Sequence, residues 1–549
     1  MKSLKKFIVL LLILTPALFV CAQNTRRVNV PPVDDIISAM TLEQKIGQML
    51  MTAVPGKAMT PQLETIIKKY KPGGIIFFGF NLADAASVKK FTDAIQEKSI
   101  EQSSLPVFIS IDQEGGRVKR LTEGATQFPG NMAAGTAGDK ELAYMWGRVL
   151  GLELRGLGVN MNLTPALDVN DNPANPVINT RSFGADVKTV SDIGLSYIKG
   201  QQESSCISVG KHFPGLGNSS IDTHLKLTVI DFDMKRLEEV ELVPFQNAID
   251  KGLECIMTTH SAFPKILNNR DSATISPFFL TEVLRNRMGF EGLIITDDME
   301  MGAITTELDI GSASVKTVIA GTDIVLFSTF GPSIEKIYSS LINAVKNGDI
   351  SMERIDSSVR RIIATKFKYG IAQYDHDKKI ISPVFELSEH EKEILAKAET
   401  VNRDISMKSI CYRGDGDLLA PSADTVCVFV SNTPGFTKHL KIDSNDKVVT
   451  NLSDASAIIK NSKGNVVLYV HSYNPTASHV AEVKSITAAK KIPFVLAISG
   501  NPFPVLLTKG WDTVLMSFSN TSASLEFLSK AASGQFSPKR DTKLMPGSQ

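Results

Sequence analysis

Between Gly210 and Leu227 the chain reads GKHFPGLGNSSIDTHLKL, with Lys211 and His212 ahead of a glycine-rich turn and Asp222 and His224 behind it. An aspartate two residues from a histidine is close enough to orient the imidazole and raise its pKa, which gives a unit that donates and accepts protons near neutral pH. Further on, GLIITDDMEMG ends an apolar run in two adjacent acids, Asp297 and Asp298. Side chains alternate along a strand, so one of these faces the strand's interior side and the other the surrounding loops. Carboxylates are costly to desolvate unless hydrogen-bonded, which marks the pair as a candidate for chemistry; the competing role for Asp298 is to cap a segment starting at MEMGAI. A carboxylate nucleophile on a strand end and a proton donor on a loop make the pairing used for displacement at a sugar's anomeric carbon. Taken alone, Asp222 and His224 also read as an incidental ion pair on a solvated loop.

The elements that must position these groups follow one rhythm from about residue 33 to 370: a short apolar run, a polar or glycine-rich corner, then a segment with helical spacing. That rhythm predicts parallel strands with helical crossovers. The strand candidates are IGQMLMT near Ile46, GGIIFFG near Ile75, PVFISID ending at Asp112, VNMNLTPALD ending at Asp168, CISVGKH ending at His212, CIMTTH ending at His260, GLIITDD ending at Asp298 and DIVLFS ending at Ser328. Eight such units close naturally as a (β/α)8 barrel. Five of them finish in an acid, a lysine or a histidine, at the end where barrel sites are built. Re-entry into solvent explains one or two such endings better than five, although His260 is read as a histidine satisfying one hydrogen bond.

A linker is expected over 371–389, where FKYGIAQYDHDKKIISPVF breaks the rhythm with glycine and proline. Over 390–549 four runs, DTVCVFVSN, NVVLYVHSY, IPFVLAISGNPF and DTVLMSFSN, predict an open parallel sheet with helices on both faces, a smaller α/β/α sandwich. It carries no glycine-rich phosphate fingerprint, so no nucleotide is assigned, and the tail from Ser533 is expected to fray.

The chain has 549 residues, 43% of them apolar and 21% charged, with 59 basic against 58 acidic side chains. Such a balance, without a long basic run, points away from nucleic acid and anionic membrane surfaces. The start, MKSLKKFIVLLLILTPALFVCAQ, has the basic, apolar and small-residue regions of a secretory signal, read as residues 1–22 with cleavage after Ala22. A periplasmic or secreted protein follows; acylation of Cys21 is disfavoured by the bulk of Val20 before it. Cys206, Cys255, Cys411 and Cys427 have neither a disulfide framework nor metal-ligand spacing and are read as structural thiols.

The stretch KHFPGLGNSSIDTH resembles the signature K-H-[FI]-P-G-[HL]-G-x4-D-[ST]-H of bacterial β-N-acetylglucosaminidases in glycoside hydrolase family 3, matching every specified position. IDQEGGRVKRL, NLTPALDVNDNPANPVINTRSFG, IMTTHSAFP and LIITDDMEMGAI are similar to that family's segments, in its order. The resemblance covers the expected barrel fully and the second domain more loosely. It implies Asp297 as nucleophile, His224 as general acid/base, Asp222 as the carboxylate that tunes it, and Asp112, Arg120, Arg181, Lys211 and His212 as the groups that hold the non-reducing-end sugar. It implies no metal or cofactor.

The function so implied is removal of a terminal β-linked GlcNAc from a saccharide by a retaining, exo-acting hydrolase, with peptidoglycan fragments ahead of chitin- or glycan-derived oligosaccharides as substrate. Phosphate in place of water as acceptor, which would make the enzyme a phosphorylase, and a catalytically silent saccharide-binding barrel are the alternatives. Two features depart from much of the family: an export signal, and a second domain that is not needed to supply the acid/base.

Overall fold

The computed structural model describes residues 33–541 apart from 223, 224, 376, 378 and 509. The segment read as a signal, with Cys21, and His224 lie outside the described residues.

Eight parallel strands form the first sheet: Leu50–Ala53 (β1), Gly74–Phe77 (β2), Phe108–Ile111 (β3), Met161–Asn162 (β4), Ile207–Phe213 (β5), Cys255–Thr258 (β6), Leu293–Ile295 (β7) and Val325–Phe327 (β8). Each pairs with its sequence neighbour, β8 pairs back onto β1 through Leu50–Val325 and its neighbours, and an Ile295–Ile324 bridge joins β7 to β8. The sheet therefore wraps into a (β/α)8 barrel, as the rhythm predicts. The strands read as unbroken apolar runs because helices cover their outer faces while neighbouring side chains fill the interior.

Two strand limits differ from the sequence expectation. Ile46 lies in the helix Leu42–Gln48, which Thr41 and Gln44 start with a reciprocal cap, so β1 begins only at Leu50. Beyond Asn162 the fourth run leaves regular strand pairing and continues through scattered backbone bonds to Ile111, Val209 and Lys211, with Ala166 bridging to Ser182 and Lys211.

The second sheet has seven strands: Cys411–Gly414 (β9), Val426–Val430 (β10), Lys447–Val449 (β11), Val466–Ser472 (β12), Phe494–Ile498 (β13), Thr513–Met516 (β14) and Lys539–Arg540 (β15), in the order β11-β10-β12-β13-β14-β9-β15. With its covering helices it makes the expected α/β sandwich, but the sheet is mixed, since β9 runs antiparallel to β14. The tail also departs from expectation: β15 pairs with β9, and Arg413 Nε donates to Asp541 at 2.6 Å.

The two units share a core. The helices Glu389–Leu395 and Ala398–Ser409 pack on Asn131–Ala137 and Lys140–Gly156 of the barrel, and Ile394, Val401 and Ile405 belong to the same apolar cluster as Trp146 and Val149. Lys408 pairs with Asp139 at 2.7 Å across that contact. The four cysteines among the described residues are buried free thiols, and burial pushes Cys206 and Cys427 up to about 12.

Candidate active site

The turn after β3 gathers three charged residues. Gly115 and Gly116 both have positive φ, and a Cβ on Gly116 would meet the Pro129 carbonyl at 2.5 Å, so the EGGR turn needs glycine there. Gln113 fixes its far side, accepting from the Arg120 and Leu121 amides at 2.8 and 2.9 Å. Asp112 and Arg120 are thereby brought together, Nη2 to Oδ2 at 3.6 Å, and Glu114 turns inward.

On β5 the register with β6 shifts between Gly210 and Phe213, a bulge of one extra residue. Two consecutive side chains, Lys211 and His212, consequently reach the same cavity. Lys211 Nζ donates to Asp112 Oδ1 at 2.8 Å and pairs with Glu114 Oε1 at 2.7 Å. Arg181 donates to the same glutamate through Nε and Nη2 at 2.9 and 2.8 Å. Burial works against the charge of Glu114, but Arg181 and Lys211 outweigh it and hold the carboxyl far below the ordinary glutamate value. Burial likewise opposes the Lys211 ammonium, and Asp112 with Glu114 raises it above the ordinary lysine value. Glu114, Lys211 and Arg181 therefore stay ionised at any pH near neutrality.

His212 is held from behind. Its Nδ1 lies 2.8 Å from Asp168 Oδ2, and Asp168 Oδ1 accepts the Leu216 amide at 2.7 Å. The carboxylate assigns the proton to Nδ1, which turns Nε2 toward Arg181 Nη2 at 3.5 Å.

After β7, Asp297 Oδ1 accepts the Asp298 amide at 2.8 Å. Burial disfavours its charge, yet His212 and that amide help to hold the carboxyl below the ordinary aspartate value. Asp298 turns to the loops, where Oδ1 accepts the amides of Glu300 and Ser328 at 3.0 Å each. It does not cap the next helix, Gly302–Thr305, whose cap position is Met301. His260 is fully buried behind the pair; its Nε2 meets the Asp298 carbonyl at 2.9 Å and its Nδ1 meets Thr274 Oγ1 at 2.8 Å. Burial lowers its pKa, so it serves as a neutral brace for the Asp297–Asp298 backbone.

Burial also pushes the Asp298 carboxyl up to about 6. A carboxyl raised on folding costs stability wherever it ionises: the cost is absent below about pH 4, grows between pH 4 and 6, and is complete above pH 6. Asp298→Asn keeps the oxygen that accepts both amides and removes the charge. The expected result is a higher melting temperature than wild type at pH 7.5, with the difference gone at pH 4, read from thermal scans across that range.

A cavity of about 310 Å3 opens at the carboxyl ends of the strands, walled by Phe78, Arg117, Val177, Leu216, Met257 and Met301 among others. Asp112, Arg120, Arg181, Lys211, His212, Asp222 and Asp297 all border it. His224 lies outside the described residues. Sequence reasoning left Glu114 and Asp168 without a role. Asp168 was visible as an acid at a strand end, and Glu114 as the second acid of IDQEGG, but the partner of the first, His212, and those of the second, Arg181 and Lys211, are distant in the chain. A floor of ionised donors and acceptors, with a carboxylate opposite and an acid-bearing loop at the side, suits a polyhydroxylated ligand that is to be attacked.

A model of the glycosyl hydrolase family 3 N terminal domain matches residues 41–365. Beta-hexosaminidase A of Pseudoalteromonas piscicida is 34% identical over 340 residues, and the match spans 58% of this chain and 56% of that protein. Beta-hexosaminidase of Methylobacillus flagellatus is 31% identical over 298 residues, covering 53% of this chain and 83% of that one. The solved structure of a glycoside hydrolase family 3 β-N-acetylglucosaminidase from Paenibacillus sp. str. FPU-7 superposes with a TM-score of 0.81 at 31% identity, over 92% of this chain and 99% of that one.

Proposed function

Because the chain belongs to glycosyl hydrolase family 3, we propose that it is a retaining exo-β-N-acetylglucosaminidase that removes a terminal β-linked GlcNAc, with Asp297 as nucleophile and Asp222 and His224 as the proton-transfer pair. The observation that carries the reading is the single cavity in which Asp297 stands beside the Asp112, Lys211, Arg181 and His212 cluster while Asp222 enters from the loop. In the first step the ionised Asp297 attacks the anomeric carbon as the glycosidic oxygen departs with a proton from the His224 imidazolium. In the second, neutral His224 takes a proton from water, the hydroxide attacks the same carbon, and Asp297 leaves. Two inversions return the β-anomer. Asp112, Arg120, Arg181, Lys211 and His212 hold the hydroxyl and N-acetyl groups of the terminal sugar, Asp112 accepting from hydroxyls and Lys211 and His212 donating to them.

Peptidoglycan fragments are the proposed natural substrate, and a periplasmic or secreted location the proposed setting. No helix among the described residues is long and apolar enough to cross a membrane. Proton NMR of the first product from an aryl β-N-acetylglucosaminide should show the β-anomer of GlcNAc, with aryl β-glucoside turned over far more slowly and a disaccharide muropeptide cleaved. First appearance of the α-anomer refutes the double displacement, and sugar-1-phosphate formed only when phosphate is added moves the assignment to phosphorolysis.

A further inference from the structure

The segment from Asp171 to Asn175 borders none of the cavity, yet its side chains grip the arm that carries Asp222. Asn175 Nδ2 donates to the carbonyls of Leu216 and Gly217 at 2.9 Å each. Asn172 Nδ2 reaches the Ser219 carbonyl and Ser220 Oγ at 3.0 Å each, and the Asn218 carbonyl at 3.2 Å. Asp171 Oδ1 accepts from Asn218 Nδ2 at 2.7 Å, while its Oδ2 pairs with Arg236. Arg236 in turn donates to Glu241 at 2.8 Å. Glu241 is 1% exposed and closes against the start of the arm, where a Cβ on Gly215 would lie 2.6 Å from its Cγ. Every residue of the arm from Leu216 to Ser220 is thus bound to one short stretch of the preceding loop, and Asp222, which borders the cavity, follows two residues later. So many polar atoms directed at one strip of backbone exceed what a solvated turn needs, and what they fix is where the acid enters the site.

We propose that Asp171 and Asn172 are positioning residues for proton transfer: through Asn218, Ser219 and Ser220 they set where Asp222 and its histidine meet the glycosidic oxygen. The inference rests on the assignment of Asp222 and His224 as the proton-transfer pair. Misplacing a reacting group by about 1 Å costs on the order of 10²-fold. The loss must fall on steps that need the proton, leaving sugar binding and nucleophilic attack intact.

Leaving groups separate these cases. In Asn172→Ala and the near-isosteric Asp171→Asn, kcat/KM for a phenyl N-acetylglucosaminide, whose phenolate needs protonation, should fall about 10²-fold. With a dinitrophenyl leaving group, which departs unprotonated, kcat/KM should change only a few-fold. Azide should raise kcat of the variants on that second substrate and leave wild type unchanged. It displaces Asp297 from the glycosyl-enzyme without giving up a proton, and the product is the β-glycosyl azide. An equal fall for both substrates, or no fall in either soluble variant, overturns the inference. Failure of wild type to cleave either N-acetylglucosaminide would instead overturn the functional reading beneath it.

Discussion

Asp297→Asn is expected to abolish turnover, lowering kcat on the order of 10⁴- to 10⁶-fold, the loss typical when a nucleophile is removed from a preassembled site. The amide is a poor nucleophile, and its neutral form cannot balance the positive charge that builds on the sugar as the leaving group departs. The fold should respond only modestly. Among the described residues only the Asp298 amide is bonded to the Asp297 carboxylate, and an Asn oxygen accepts it equally well. Circular dichroism should therefore match wild type and the melting temperature should fall only modestly, by the favoured charge that is lost, while steady-state assays on an aryl N-acetylglucosaminide find no activity. Activity within tenfold of wild type would remove Asp297 from the mechanism.

The second large effect is on stability, and it lies at Glu114. Its carboxylate is the common partner of Arg181 and Lys211, and all three side chains are buried or nearly so. Glu114→Gln would leave two cations beside one another with Asp112 as the remaining close anion. Removing one member of a buried ion pair costs about 3–5 kcal/mol. For a barrel of this size that is a fall in melting temperature on the order of 10 °C. The pH dependence has a definite sign. A carboxyl depressed on folding contributes its full stabilisation above its unfolded value, near pH 4.5, and loses it as pH falls further toward the folded value. The gap between wild type and Glu114→Gln should therefore be widest at pH 6–8 and narrow below about pH 4. A gap that is constant with pH would mean that packing, rather than charge, is what Glu114 supplies. A raised KM should accompany the change, since Lys211 Nζ loses the anion that helps to aim it at the sugar.

The barrel was legible because parallel strands buried on both faces appear as apolar runs that stop abruptly at polar ends. Those ends are also where Asp112, Lys211, His212 and Asp297 are found. The second sheet was half legible for the same reason. Its four inner strands are buried, whereas the missed ones, Cys411–Gly414, Lys447–Val449 and Lys539–Arg540, lie at or near its edges and carry tyrosine, lysine and arginine in place of an apolar run. The roles of Asp222 and His224 came from a motif, since a loop acid and a loop histidine have no periodicity to distinguish them from solvated residues. Glu114 was illegible in principle: its meaning lies in Arg181, 67 residues away, and no local pattern encodes such a meeting.

The bulge in β5 has a geometric consequence for what eight strands are able to build. In a regular barrel, strict alternation turns only one of two neighbouring side chains on a strand toward the interior, and each interior layer is filled by side chains from alternate strands. A phase slip of one residue breaks that parity at a single place, and two neighbours on one strand then share the mouth. The strand gives up one step of pairing with β6, and the site gains one position that alternation would have turned away. Lys211 and His212 fill the doubled place with a fixed cation and a ring braced by Asp168, a combination that two separate strands would have to hold in register across the whole width of the barrel.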